Sequence, residues 1–129
     1  MIVKLIKVNL VSFDTKNATD MSSMFYNCFK LTKIDLSSFD TKKVNNMSRM
    51  FAICSNLIKI DFSSFDTKND NNVNSFLFNC SNLMYKNLSV FDTKNINNMS
   101  NMFGGCSERN IVKINNISIN IIKELSYNI

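Results

Sequence analysis

The apolar positions of this chain recur with a fixed period. Phe13, Phe39, Phe65 and Phe91 each open an FDTK tetrapeptide, and successive copies start 26 residues apart. Cys28, Cys54, Cys80 and Cys106 close the same stretch with the same spacing. Between these stretches runs the pattern LxxIxL, seen at Leu31–Leu36 and, with a terminal Phe, at Leu57–Phe62. LIKVNL at Leu5–Leu10 repeats it before the first FDTK. Ile34 and Leu36 alternate with Lys33 and Asp35, the period of a half-buried strand. Asp40-Thr41 then favours a turn, since both side chains can bond nearby backbone groups.

A different period follows. Met21, Met24, Phe25 and Cys28 fall at i, i+3, i+4 and i+7, one face of a helix. Asp20, Asn46, Asn72 and Asn98 stand just before, where a side-chain oxygen can cap the first turn. Before each cysteine come Asn27, Ile53, Asn79 and Gly105, and Asn and Gly tolerate the left-handed conformation that ends helices. Each unit therefore predicts strand, turn, short helix, turn. One unit alone cannot bury its apolar edge, but stacked units can, and a period in the twenties signals a solenoid. Stacking would bring equivalent residues into columns at about the ~4.8 Å strand spacing. Val8, Ile34 and Ile60 form one column; Leu10, Leu36, Phe62, Leu88 and Ile114 form another. Phe13, Phe39, Phe65 and Phe91 form an aromatic column in which Phe39 and Phe65 are expected to be buried between neighbouring units, and Phe25, Phe51, Leu77 and Phe103 form a second, mostly aromatic one.

Composition narrows the function classes. The 129 residues suit one domain, and 45% hydrophobic content can fill a core. The chain has no His, which removes the commonest general base and metal ligand. A net charge of +5 is modest, and Lys16, Lys42, Lys68 and Lys94 are the repeat's own lysine, so a nucleic-acid partner is not expected. No apolar run reaches the ~18 residues of a membrane span, and no signal-peptide pattern opens the chain.

The LxxIxL strands, the FDT turns and the MSxMFxxC segment resemble the BspA-like leucine-rich-repeat surface proteins, including the related repeats of mycoplasma-type surface lipoproteins. The resemblance runs from Leu5 to Ile114. It implies a leucine-rich-repeat solenoid, an α/β repeat with a parallel sheet on one face and short helices or turns on the other. It also implies a cell-surface or extracellular location and adhesion to proteins or glycans of another surface, such as host matrix. It carries no catalytic residues. Lys86 departs from the column of Ile34 and Ile60, which predicts a side chain that snorkels or a displaced strand. Asp70 stands opposite Val44, which predicts a turn bending outward to water. Arg109 replaces an expected Leu, so either Val112 and Ile114 or Ile111 and Ile114 form the last inward pair. The alternating tail from Ile117 to Ile121 could supply a last strand.

Catalytic and cofactor chemistry find little support. The cysteines are too far apart in sequence for the usual paired zinc ligands, so they read as apolar packing. Asp14, Asp40, Asp66 and Asp92 could suggest calcium, but single carboxylates in turns more often bond backbone amides, and the glycine-rich loop of calcium-binding solenoids is missing. Ser22 and Ser48 lack a recognisable base, so no hydrolase is expected. No metal and no cofactor is assigned. What remains is the outward sheet face, where Lys7, Lys33, Lys59 and Tyr85 form one row and Asn9, Asp35, Asp61 and Asn87 the next. The expectation is one solenoid domain over residues 1–129, about four full units plus a terminal strand. Its expected role is a non-catalytic interaction module using that face; the alternative is a spacer or intracellular scaffold without a tight ligand. The first unit lacks a visible cap, which predicts either end-to-end self-association or truncation from a longer chain.

Overall fold

The computed structural model describes residues 6–70, 72–92, 94–107 and 111–115. Leu5, Arg109 and the tail 117–121 lie outside the described residues. Five strands occur in chain order: β1 (Ile6–Val8), β2 (Leu31–Ile34), β3 (Lys59–Asp61), β4 (Tyr85–Asp92) and β5 (Ile111–Asn115). They form one parallel sheet in which each strand pairs with the next along the chain. Lys7 pairs with Lys33, Lys33 with Lys59, and Lys59 with Tyr85, so the 26-residue period sets the register directly. At the last pair, Lys86 faces Ile111 and Leu88 faces Ile114. The register thus uses Ile111 and Ile114, with an irregularity between them.

Across from the sheet, the stretch from Met21 to Cys28 is not a helix, and no helix occurs among the described residues. It is a run of overlapping turns. Met24, Tyr26 and Cys28 donate their amides to the carbonyls of Met21, Ser23 and Phe25, three residues back. The intervening amides point along the stack instead. Those of Met21, Ser23, Phe25 and Asn27 donate to the carbonyls of Asn46, Ser48, Met50 and Ala52 at 2.8–2.9 Å. The same four bonds recur from the second unit to the third and from the third to the fourth. An α-helix would spend these amides internally, so a stacked unit gains by opening the helix into turns.

These turns require left-handed backbone at fixed points. Ser23, Arg49, Ser75 and Asn101 have φ of 54–58°, and Asn27, Ile53, Asn79 and Gly105 have φ of 57–73°. The second set is the one that the Asn and Gly signals predicted. In the first set, Ser and Arg give no such signal. Ile53 is the costly member, since a β-branched residue crowds the backbone at φ 61°.

Among the described side chains, the core contains most members of the predicted columns, while those of Leu88 and Ile114 lie outside the described ones. Phe39, Phe65 and Phe91 are buried, and the Phe39 and Phe65 rings stack with centroids 6.4 Å apart. Phe25 stacks on Phe51 at 5.2 Å. Phe62 lies within 5.2–5.7 Å of the rings of Phe51, Phe65, Phe76 and Phe91, so it joins both columns. Phe13 does not follow its copies: it is 50% exposed, because no earlier unit packs over it among the described residues. Met24 is likewise exposed, whereas Met21, Met47, Met50 and Met102 are buried.

Asp70 corrects another expectation. It does not bend outward but is fully buried, in the column of Val44 and Ile96. Its carboxylate oxygen accepts the Asn72 amide at 3.1 Å, which gives the buried group a backbone donor.

Two stability measurements follow. Phe62→Ala is expected to cost about 3–5 kcal/mol, while Phe13→Ala costs under about 1 kcal/mol. Chemical denaturation reads both, and equal losses would contradict the placement of Phe62 at the junction of the columns. Ile53→Asn, which restores the residue found at positions 27 and 79, is expected to gain about 1 kcal/mol by relieving left-handed strain. A lower melting temperature for that variant would contradict the backbone geometry.

Candidate interaction face

The polar side chains of the repeat divide into those that hold the stack and those that face outward. Thr15, Thr41 and Thr67 are buried, although nothing in their residue type marks them as core. The Thr15 hydroxyl donates to the Asp40 carbonyl at 3.1 Å and accepts the Asp40 amide at 2.8 Å. Thr41 makes the same pair of bonds to Asp66, and Thr67 accepts the Asp92 amide. A threonine clasp therefore links each unit to the next. The sequence carried a signal for it, the invariance of Thr within all four FDTK copies, but that signal also fitted a local turn.

The aspartates of FDTK are turn devices. Asp14, Asp40, Asp66 and Asp92 accept the amides of Lys16, Lys42, Lys68 and Lys94 at 3.0–3.2 Å. Asp20, Asn46, Asn72 and Asn98 do the same two residues ahead, for Ser22, Ser48, Asn74 and Ser100. The expected caps thus close turns rather than helices. The Ser22 hydroxyl and amide together hold the Asp20 carboxyl below its ordinary value.

No disulfide joins the four thiols, which line up along the stack. Cys54 donates to the Phe25 carbonyl, Cys80 to that of Phe51 and Cys106 to that of Leu77, at 3.0–3.2 Å. Cys54 and Cys80 are buried; Cys28 and Cys106 are partly so. Burial raises the Cys28 pKa, and burial followed by the neighbouring Cys28 pushes Cys54 up to about 12. These are poor nucleophiles, since only a thiolate attacks.

The predicted rows fall on consecutive strands, while the side chains of Lys7, Tyr85 and Asn87 lie outside the described ones. Lys7, Lys33, Lys59 and Tyr85 are consecutive partners across β1, β2, β3 and β4, so their row is continuous. Lys33 and Lys59 are exposed. Asp61 pairs with Asn87, and Asp35 lies exposed just beyond the end of β2. Asp35 and Asp61 have a second duty that the sequence reading missed. Each accepts an amide two residues ahead, from Ser37 at 3.0 Å and Ser63 at 2.9 Å. Asn9 does the same for Val11, so this row also shapes the turn after the strand. A shallow depression of about 220 Å³ lies between the rows, lined by Lys33, Ile34, Asp35, Lys59 and Asp61.

Among the described residues, the ion pair is Lys16–Asp14 at 3.9 Å, on the exposed FDTK edge. Lys33 and Lys59 have no such partner there, and like charges stacked one strand apart repel. No group of three or more His, Cys, Asp or Glu side chains suited to a metal occurs among the described residues. No helix among them is long and apolar enough to cross a membrane.

A family model described as "Mycoplasma protein of unknown function, DUF285" matches residues 2–123. No curated protein and no solved structure matches the chain.

The raised Cys54 pKa gives a pH dependence with a fixed sign. The unfolded thiol ionises near 9.0 and the folded one near 12, so the folded state holds the proton more tightly. The stability due to the neutral thiol is complete below pH 9 and is lost as pH rises toward 12. Denaturation midpoints taken across that range should fall more steeply for the parent protein than for Cys54→Ala. Parallel curves would show that Cys54 is not shielded from water.

Proposed function

The chain belongs to the DUF285 family of Mycoplasma proteins of unknown function, and from that membership we propose that it is a non-catalytic interaction module of a cell-surface protein. The proposal includes a leucine-rich-repeat-type solenoid as its architecture, occupying the single domain 1–129, and adhesion to a protein or glycan on another surface as its role. The observation that carries it is the continuous row of Lys7, Lys33, Lys59 and Tyr85 across consecutive strands. Such a face is flat and pre-formed, so binding costs little ordering of the protein. Extended repeat surfaces are used in this way. Tyr85 is the proposed anchor, because aromatic residues carry a large share of interface energy. Lys33, Lys59, Asp35 and Asp61 steer the partner and select it, with Lys7 and Asn87 extending the patch.

A second reading has its own support. The repeated amide ladder, the threonine clasps and the thiol bonds all run from unit to unit. Such a stack resists bending and suits a spacer or scaffold that holds other parts of a protein apart.

Surface-binding assays against extracellular-matrix proteins distinguish the two. The parent protein is expected to bind, more weakly as salt rises, because charge pairs at exposed sites are screened. The triple variant Lys33→Glu, Lys59→Glu, Tyr85→Ala should remain folded and lose at least about tenfold in affinity, equivalent to about 1.4 kcal/mol. Equal binding by both would move the site off this face. Absence of binding by either would favour the spacer.

A further inference from the structure

The four thiols of the stack are not equivalent. The sulfurs of Cys54, Cys80 and Cys106 each reach toward the earlier unit, donating to the carbonyls of Phe25, Phe51 and Leu77 at 3.0–3.2 Å. Cys28 holds the same place in the first unit, and no earlier unit lies beyond it among the described residues. Its sulfur makes no hydrogen bond among those residues. Cys28 is also partly exposed, whereas Cys54 and Cys80 are buried. Its side chain can therefore turn without breaking a bond, and a small solute can reach it.

Cys54 stands directly behind it. The Asn27 amide, one residue before Cys28, donates to the Ala52 carbonyl at 2.8 Å, so the two backbones run side by side here. Neighbouring backbones bonded in this way lie about 4.8 Å apart. That separation falls within the roughly 4.4–6.8 Å between Cα atoms that a disulfide needs, so rotation of side chains suffices. The raised pKa of Cys54 has burial as its main cause and the Cys28 thiol as the next, and the Cys28 amide, a hydrogen-bond donor to the Cys54 sulfur, opposes both. The Cys54 sulfur thus already sits against Cys28.

We propose that Cys28 and Cys54 are a peroxide-responsive pair that closes into a disulfide and locks the first unit onto the second. The Cys28 thiolate attacks one oxygen of hydrogen peroxide. The O–O bond breaks, Cys28 becomes a sulfenic acid, and the departing hydroxide takes up the proton that Cys28 released, giving water. The Cys54 sulfur then attacks the Cys28 sulfur. The S–O bond breaks as the S–S bond forms, and the Cys54 proton leaves with the oxygen as a second water. Each sulfur gives up one electron, and the peroxide takes both. Burial raises the Cys28 pKa, so the thiolate is scarce at neutral pH and the reaction accelerates as pH rises.

The place of the bond gives it a use. The end unit of a solenoid has a neighbour on one side only and opens before the interior does. Phe13 and Met24 are exposed in the first unit, while Phe39 and Met50, their copies in the second, are buried. A disulfide closing the 26-residue interval from Cys28 to Cys54 ties the end unit to a well-packed one. The other neighbouring pairs lack an accessible, unbonded thiol. Cys54 and Cys80 are both buried, and Cys106, though partly exposed, is bonded to Leu77.

The test exposes the reduced protein to hydrogen peroxide, quenches with catalase, alkylates, and maps the product by digestion without reductant and mass spectrometry. A Cys28–Cys54 link within one chain is expected, forming faster above pH 9.0, the ordinary thiol value, than near neutrality. It should raise the melting temperature by at least about 5 °C, reversibly with dithiothreitol. Cys28→Ser should abolish both the link and the shift, whereas Cys106→Ser should keep both. A link between other cysteines or between chains would overturn the pair. So would oxidation of Cys28 to sulfinic acid with Cys54 still reduced, no oxidation at all, or a shift that survives Cys28→Ser. The map of the parent protein decides the outcome even where a variant folds poorly.

Discussion

The structure depends on one row of hydrogen bonds, the amides of each turn segment donating to the carbonyls of the next. The donors are four alternate residues per unit, and each bond reaches the equivalent of its own neighbour one unit ahead. Everything else is compatible with this ladder or enforced by it. It fixes the unit length, since one inserted residue would set each axial amide against a peptide group that bonds within its own unit. It requires left-handed backbone at Ser23 and Asn27 and at their copies. It also places Phe25 over Phe51, and Met47 and Met50 in the interior. The sheet pairs the opposite side of each unit, so both sides of the stack are tied along the same direction.

Much of this was legible in the residues. The columns, the strands and the turn role of the FDTK aspartates all follow from the 26-residue period and from side-chain type. The helix did not survive, for a physical reason. Apolar residues at i, i+3, i+4 and i+7 mark one face of a helix, but successive turns that advance by a similar amount per residue can bury the same set. What separates the two is the fate of the alternate amides, and that depends on a neighbouring unit rather than on the segment itself. Periodicity cannot report a bond that reaches 25 residues ahead. Arg49 and Ser75 illustrate the same limit, because nothing in either side chain announces left-handed backbone. Asp70 departs from expectation: a carboxylate is expected to seek water, but at this position a backbone amide lies within reach.

The candidate face was only partly legible. Outward positions follow from alternation, so Lys33, Lys59, Asp35 and Asp61 could be named from the sequence. The two duties of Asp35 and Asp61, surface charge and turn closure, are separable only once the Ser37 and Ser63 amides are placed.

The direction of the ladder has an electrical consequence. In each turn segment the peptide groups that bond along the stack all point the same way, N–H toward the later unit and C=O toward the earlier one. Their dipoles add, as they do along an α-helix, but here the axis runs across the chain rather than along it. Four such files of peptide groups lie side by side. Each turn segment therefore presents its carbonyls toward the earlier unit and its amides toward the later one. In a helix the amino-terminal end is the positive pole; here the earlier side of each segment is the negative one.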